Sequence, residues 1–197
     1  MAHIHARDAD ARPTADPDAY AAIVEEIRAR CDIVIQVSTG VGLDVSCEER
    51  IGIITSDRVD VRMATLNPAS MTFGTGTFHN PPQFVEELAR ALAERGMKPE
   101  LEVYDLGHLR LCLDLVREGL VTGPLQFSFV MGVRGGMPGD PALLPLLRQM
   151  LPPDAVWQAI GIGRVQLPLL LAALSLGGHV RVGFVRAVAY RGSHLVG

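Results

Sequence analysis

The residues best suited to chemistry come first in the chain: His3 and His5, separated by Ile4. Side chains two apart on a β-strand point to the same face, so both imidazoles can reach one ion or one substrate. Imidazole suits zinc, whose catalytic sites take three protein ligands and keep a fourth position open. The pair alone is a weak signal, and two histidines in an inert chain end are the plain alternative. No third ligand announces itself by spacing. Further along, Glu100, Glu102 and Tyr104 share one strand face. They read either as an acid turned into a closed sheet or as a solvated pair. Arg181 falls within an apolar strand, where an unpaired charge is costly, and an inward functional role accounts for it better than a structural ion pair.

Positioning such residues requires regular elements, and the chain supplies them in alternation. Short apolar strands are expected at Ala2–His5, Ile33–Val37, Val59–Leu66, Leu101–Tyr104, Leu125–Met131, Val156–Ile160 and His179–Phe184. Amphipathic helices fall between them. Asp16-Pro17 provides an N-cap and a first-turn proline, Ser46 caps a helix with Glu48 and Glu49 in its first turn, and Asn80-Pro81-Pro82 opens a third. Gly107–Gly119, Asp140–Met150 and Gly163–Leu176 complete six helices. Seven strands alternating with six helices imply parallel pairing with right-handed crossovers. Polar clusters follow the strand C-termini at Ser38-Thr39-Gly40, Thr65-Leu66-Asn67, Gly132–Pro138 and Gly161–Arg164, where barrel enzymes keep their chemistry. A dinucleotide-binding sheet would need G-x-G-x-x-G after a strand, and Gly161-Ile162-Gly163-Arg164 lacks its third glycine. The expected fold is therefore α/β, a TIM-type barrel in one domain over residues 1–197.

Composition narrows the function classes. A net charge of −4 without a basic block disfavours nucleic acid, and 48% hydrophobic residues in 197 suffice for a core. No apolar run approaches the roughly 20 residues of a membrane span, and no secretory leader is visible. Three cysteines, Cys31, Cys47 and Cys112, show no C-x-x-C spacing, and Cys112 lies on an apolar helix face. The cytoplasm is the expected compartment.

Taken in order, several motifs resemble the β-keto acid cleavage enzyme family, which includes the 3-keto-5-aminohexanoate cleavage enzymes. They are His3-Ile4-His5-Ala6-Arg7-Asp8, Ser38-Thr39-Gly40, Ala64-Thr65-Leu66-Asn67, Pro99–His108, Met131–Pro138, Gly161–Arg164 and Gly177-Gly178-His179-Val180-Arg181-Val182-Gly183. The resemblance implies a zinc-dependent barrel that condenses a β-keto acid with acetyl-CoA and cleaves the product to acetoacetate and a new acyl-CoA. It implies His3 and His5 as metal ligands and Arg181 as a catalytic residue. Ser38 and Thr65 resemble substrate-binding hydroxyls, with turn capping as the alternative, and Glu102 is a third substrate contact. Gly135 and Gly136, with Arg134, are expected to cradle the phosphates of CoA through backbone N–H groups. His108 and His179 are expected to be scaffold, and Trp157 core.

Two departures from the family pattern shape the expectations. Family members place a strand, a helix and the start of a second strand ahead of H-x-H. Here two residues precede His3, so about seven strands are expected, with those at His3 and His179 at the two ends of an incomplete barrel. Exposed strand edges would favour association with further copies of the chain. Second, Val185 stands where the pattern has the metal-binding glutamate, and Arg186 where it has the catalytic aspartate. Weak zinc binding and slow turnover follow, since valine offers no ligand and arginine no base. The rival readings are a metal-dependent barrel hydrolase and a non-catalytic relative.

Overall fold

The computed structural model describes residues 1–183, so Phe184, Val185 and Arg186 lie outside the described residues. The strands in chain order are β1 (Ala2–Ile4), β2 (Ile35–Val37), β3 (Met63–Leu66), β4 (Met71–Phe73), β5 (Gly76–Phe78), β6 (Lys98–Val103), β7 (Gln126–Met131), β8 (Val156–Gly161) and β9 (His179–Val180). Seven of them form one sheet in the order β1-β2-β3-β6-β7-β8-β9, which follows the chain, and every pair in it is parallel. Between them run α1 (Pro17–Arg28), α2 (Cys47–Thr55), α3 (Pro82–Glu94), α4 (Leu106–Arg117), α5 (Leu144–Gln149) and α6 (Gln166–Ser175). This is the incomplete TIM-type barrel that the alternation predicts. β1 and β9 stand at opposite ends of the sheet with no pairing between them. Curling nevertheless brings Arg181, just past β9, within 3.4 Å of His3 on β1.

Local chemistry explains the helix starts. The Asp16 carboxylate accepts the Asp18 N–H at 3.0 Å, and Asp105 caps α4 by accepting from Gly107 at 2.7 Å. At α2, Ser46 and Glu49 form a reciprocal capping box, so Glu49, rather than Glu48, makes the capping contact.

Several expectations need correction: β9 ends at Val180, so Arg181 lies past it and not within a strand, β2 begins at Ile35 rather than Ile33, and β6 begins at Lys98 rather than Leu101. β3 begins at Met63, not Val59: the Val59 N–H is taken by Ser56 O at 3.3 Å in a turn, which removes it from the ladder, although Val59 and Val61 remain buried. The strands β4 and β5 pair with each other as an antiparallel hairpin where no element was expected. Three-residue strands are too short for a period to show, and the hairpin turns through Gly74 at φ +65°.

The two faces of the main sheet differ in kind. Val37, Leu66, Leu101, Val103, Phe127, Phe129, Met131, Trp157 and Ala159 join the helices in one apolar core. Strand residues of the opposite parity, including Gln36, Glu100, Glu102, Ser128 and Gln158, are buried and polar. Above them the hairpin adds Met71 and Phe78 to Tyr104, Val130 and Ile160 in a small second cluster.

Candidate active site

The polar face assembles around one arginine. Register sets Glu102 beside Ser128, and Ser128 beside Gln158, so three adjacent strands present one polar row. Arg181 follows β9 and reaches inward. Its Nη1 donates to Glu100 Oε1 at 2.9 Å and its Nη2 to Glu102 Oε1 at 3.0 Å. Its side chain is 12% exposed, and both carboxylates are buried. Glu100 also accepts from Ser128 Oγ at 2.6 Å, from Gln158 Nε2 at 3.0 Å and from Gln36 Nε2. Burial pushes the Glu100 pKa up, against the opposing pull of Arg181. Burial acts the same way on Glu102, but Arg181, His3 and the hydrogen bonds from Arg181 and Tyr104 outweigh it, and its pKa falls. The Tyr104 hydroxyl donates to Glu102 Oε2 at 3.1 Å. Two carboxylates on one strand are thereby driven apart in acidity, a separation frequent at functional sites. Arg181 Nε is buried without a partner among the described residues.

His3 on β1 and His5 just past its end turn to the same side, with their Nε2 atoms 3.1 Å apart. Gln36 orients His3. With its Nε2 donating to Glu100, Gln36 turns Oε1 toward His3 Nδ1 at 2.6 Å, so Nδ1 carries the proton and Nε2 is left bare. Burial, then Arg181, lowers the His3 pKa. His5 is exposed at its edge, yet the surrounding protein strips enough hydration, with His3 beside it, to lower its pKa to about 4. Both rings are neutral at pH 7, the state a metal requires.

Zinc implied by the resemblance can be tested against this geometry. Bonds of about 2.0–2.1 Å at near-tetrahedral angles put two ligating nitrogens about 3.3 Å apart. The 3.1 Å separation fits, and Gln36 supplies the outer hydrogen bond that fixes a ligating ring. Among the described residues no group of three His, Cys, Asp or Glu side chains gathers at one point, so the pair would supply two ligands and no more.

The other expected site residues divide. Ser38 and Thr65 are buried where strands β2 and β3 end. Thr65 Oγ1 accepts the Thr39 N–H at 2.9 Å, and Thr39 Oγ1 donates to Thr65 O at 2.8 Å, so Thr65 holds the turn after β2. Ser38 Oγ accepts from Gly40 at 3.1 Å, which leaves its own proton to donate. Gly135 and Gly136 are explained by packing: a Cβ would come 2.9 Å from Thr72 Cβ at the first and 2.7 Å from Tyr104 O at the second. Arg134 in the same loop is exposed and joins none of the hydrogen bonds around Arg181. His179 is exposed, and Trp157 is core.

Sequence reasoning missed Gln36, Ser128 and Gln158, although a signal existed for each. Ile35-Gln36-Val37, Phe127-Ser128-Phe129 and Trp157-Gln158-Ala159 each set one polar residue between apolar neighbours, which marks an inward polar face once the sheet closes.

A model of the β-keto acid cleavage enzyme family matches residues 1–195. The chain is 39% identical over 188 residues to a 3-oxoadipate:acetyl-CoA acetyltransferase of Cupriavidus necator, covering 93% of this chain and 64% of that protein. It is 34% identical over 184 residues to a 3-keto-5-aminohexanoate cleavage enzyme of Fusobacterium nucleatum, covering 92% and 66%. The chain thus spans just under two thirds of these relatives. Among solved structures, apo ObcA superposes with a TM-score of 0.78 at 20% identity, over 93% of this chain and 51% of that one, and supports the fold alone.

Proposed function

This chain belongs to the β-keto acid cleavage enzyme family, and from that premise we propose that its polar interior binds a β-keto acid for condensation with acetyl-CoA. The observation that carries the reading is the convergence of Arg181, Glu100 and Glu102 with the His3–His5 pair. The donors suit such a ligand. Among the described residues Arg181 Nε and the Ser38 proton have no partner and can donate to carboxylate or keto oxygens, and Glu102 with Tyr104 holds the guanidinium in place. His3 and His5 would hold zinc, which when bound supplies Lewis-acid stabilisation of an enolate.

In the proposed reaction the carbon between the two carbonyls loses a proton and attacks the acetyl thioester, expelling CoA thiolate. The thiolate then attacks the original keto carbon. The bond between the keto carbon and the central carbon then breaks, the central carbon regains a proton in place of the one removed at the start, and acetoacetate leaves together with a new acyl-CoA. In the family pattern the general base falls at Arg186, which cannot accept a proton. The chain is therefore proposed to bind this substrate class and to turn it over slowly. Self-association through the sheet edges at β1 and β9 belongs to the same reading.

The name of the 39%-identical relative makes 3-oxoadipate the first substrate to try. Purified chain, 3-oxoadipate and acetyl-CoA, with added zinc or with chelator, should yield slow zinc-dependent acetoacetate. Val185→Glu combined with Arg186→Asp should raise both zinc content and rate. Hydrolysis of a substrate without acetyl-CoA would favour the metal-dependent hydrolase instead. Equal, tight zinc binding with and without the two substitutions would remove position 185 as a ligand.

A further inference from the structure

Gln36 on β2 is fully buried, and its amide stands between the histidine pair and the charged interior. It lies in register with His3 on β1 and reaches over β3 to Glu100 on β6. Each link in this line has a fixed sense. Arg181 carries donors only, and Glu100 Oε1 accepts from its Nη1, from Ser128 Oγ and from Gln158 Nε2. Glu100 Oε2 is left for Gln36, so the amide presents its NH2 to the carboxylate and its Oε1 to His3 Nδ1. An amide oxygen cannot donate. The Nδ1 proton therefore belongs to His3, and His3 Nε2 can only accept across the 3.1 Å that separates it from His5 Nε2. The line runs one way: His5 donates to His3, His3 to Gln36, and Gln36 to Glu100, whose charge Arg181 balances.

A second partner contends for the same imidazole nitrogen. Arg181 Nη1 also lies 3.4 Å from His3 Nδ1, and a guanidinium there can only donate. That contact favours the opposite tautomer, with Nδ1 bare and the proton on Nε2. The two tautomers differ in what they offer a metal. With Nδ1 protonated, His3 turns a lone pair toward the space it shares with His5, and only His5 has to move its proton to Nδ1 before both rings can ligate. His5 is exposed, and no hydrogen bond among the described residues engages its Nδ1, so nothing opposes that shift. With Nε2 protonated, His3 would have to take the proton back to Nδ1 against the guanidinium.

We propose that Gln36 is a positioning residue that selects the His3 tautomer against Arg181 and so keeps His3 Nε2 open as a metal ligand. Glu100 acts one step behind it, by dictating which end of the amide faces the ring. The metal rests on the function proposed above; the tautomer does not. The choice of side chain follows from the same logic. A glutamate at position 36 would keep the sense of the line. Ionised, it accepts from Nδ1; protonated, it donates to Glu100 with one oxygen and accepts from Nδ1 with the other. A methionine of similar length has only a weak thioether acceptor and would leave Nδ1 to Arg181.

Long-range proton–nitrogen correlation spectra of the isotope-labelled, metal-free chain at about pH 8, above the ordinary histidine range, read the tautomer of each ring without turnover. Signals lost in His3→Asn identify His3. Its wild-type ring should carry the proton on Nδ1. Gln36→Met should move that proton to Nε2, and Gln36→Glu should keep it on Nδ1; a side chain that merely supports the fold would move it in neither. An unchanged tautomer in Gln36→Met overturns the proposal. If neither that variant nor Gln36→Leu folds, the wild-type and glutamate spectra decide, and a proton on Nε2 in either overturns it. Zinc alone, followed by calorimetry, should bind Gln36→Met about tenfold or more weakly than the wild type, and Gln36→Glu at least as tightly. Equal zinc affinity in all three chains overturns the link from tautomer to metal. A wild-type chain that takes up no zinc overturns the metal ligation in the proposed function, while the spectra still decide whether Gln36 selects the tautomer.

Discussion

Glu100 and Leu101 are neighbours on β6, both completely buried, and they face opposite surroundings. Leu101 enters a helix-covered layer of aliphatic and aromatic side chains, where volume is what matters. Glu100 enters an interior where Arg181, Gln36, Ser128 and Gln158 all donate to one carboxylate. Burial has the same extent on the two faces and opposite meanings. The outer layer holds the sheet to its helices, and the inner face holds charges in a geometry that stability alone would not favour.

The largest effects should come from this pair of residues. Glu100→Leu conserves bulk but leaves the Arg181 guanidinium with Glu102 alone and removes the acceptor of three neutral donors, and should lose about 3–5 kcal/mol in urea unfolding. Leu101→Met conserves bulk in the apolar layer and should lose less than about 1.5 kcal/mol. A mild Glu100→Leu would break the contrast between the faces.

A second prediction tests whether the outer layer also carries titratable control. Tyr20 on α1 is fully buried, with its hydroxyl donating to Ser38 O at 3.3 Å, and burial pushes its pKa up to about 12. An unfolded tyrosine ionises near pH 10, so the folded form holds the extra proton between the two values. Stability from this group is present below about pH 10 and is lost as pH rises toward 12, a loss of about 2–3 kcal/mol. Tyr20→Phe should flatten that alkaline decline in urea midpoints; an unchanged decline would show that another group governs it.

The smallest effect is expected at the rim. Arg134 is exposed, so Arg134→Ala should change stability by no more than about 0.5 kcal/mol. The KM for acetyl-CoA should rise several-fold if this loop receives the CoA phosphates. An unchanged KM would confine the CoA contacts to other residues and leave Gly135 and Gly136 with packing roles only.

Much of the fold was legible because it depends on local signals. Alternating strands and helices, the caps at Asp16 and Ser46, and the parity of Glu100, Glu102 and Tyr104 are periodic or short-range properties. The hairpin at Met71–Phe78 was not legible, since two three-residue strands carry no period and are held by partners from Tyr104, Val130 and Ile160. The inward aim of Arg181 was expected from the cost of a charge among apolar neighbours, although the residue lies just past β9 and not within a strand.

By itself the sequence determined which residues share a face, because side-chain parity on a strand is a covalent consequence of backbone geometry. It could not determine which faces meet. Arg181 and His3 are 178 positions apart, Gln36 and Glu100 are 64 apart, and Arg50 joins segments 11 and 30 positions away. Those contacts exist only because the sheet curls and turns one face of seven strands toward a common interior. That closure is a collective result of packing along the whole chain, and no local spacing encodes it.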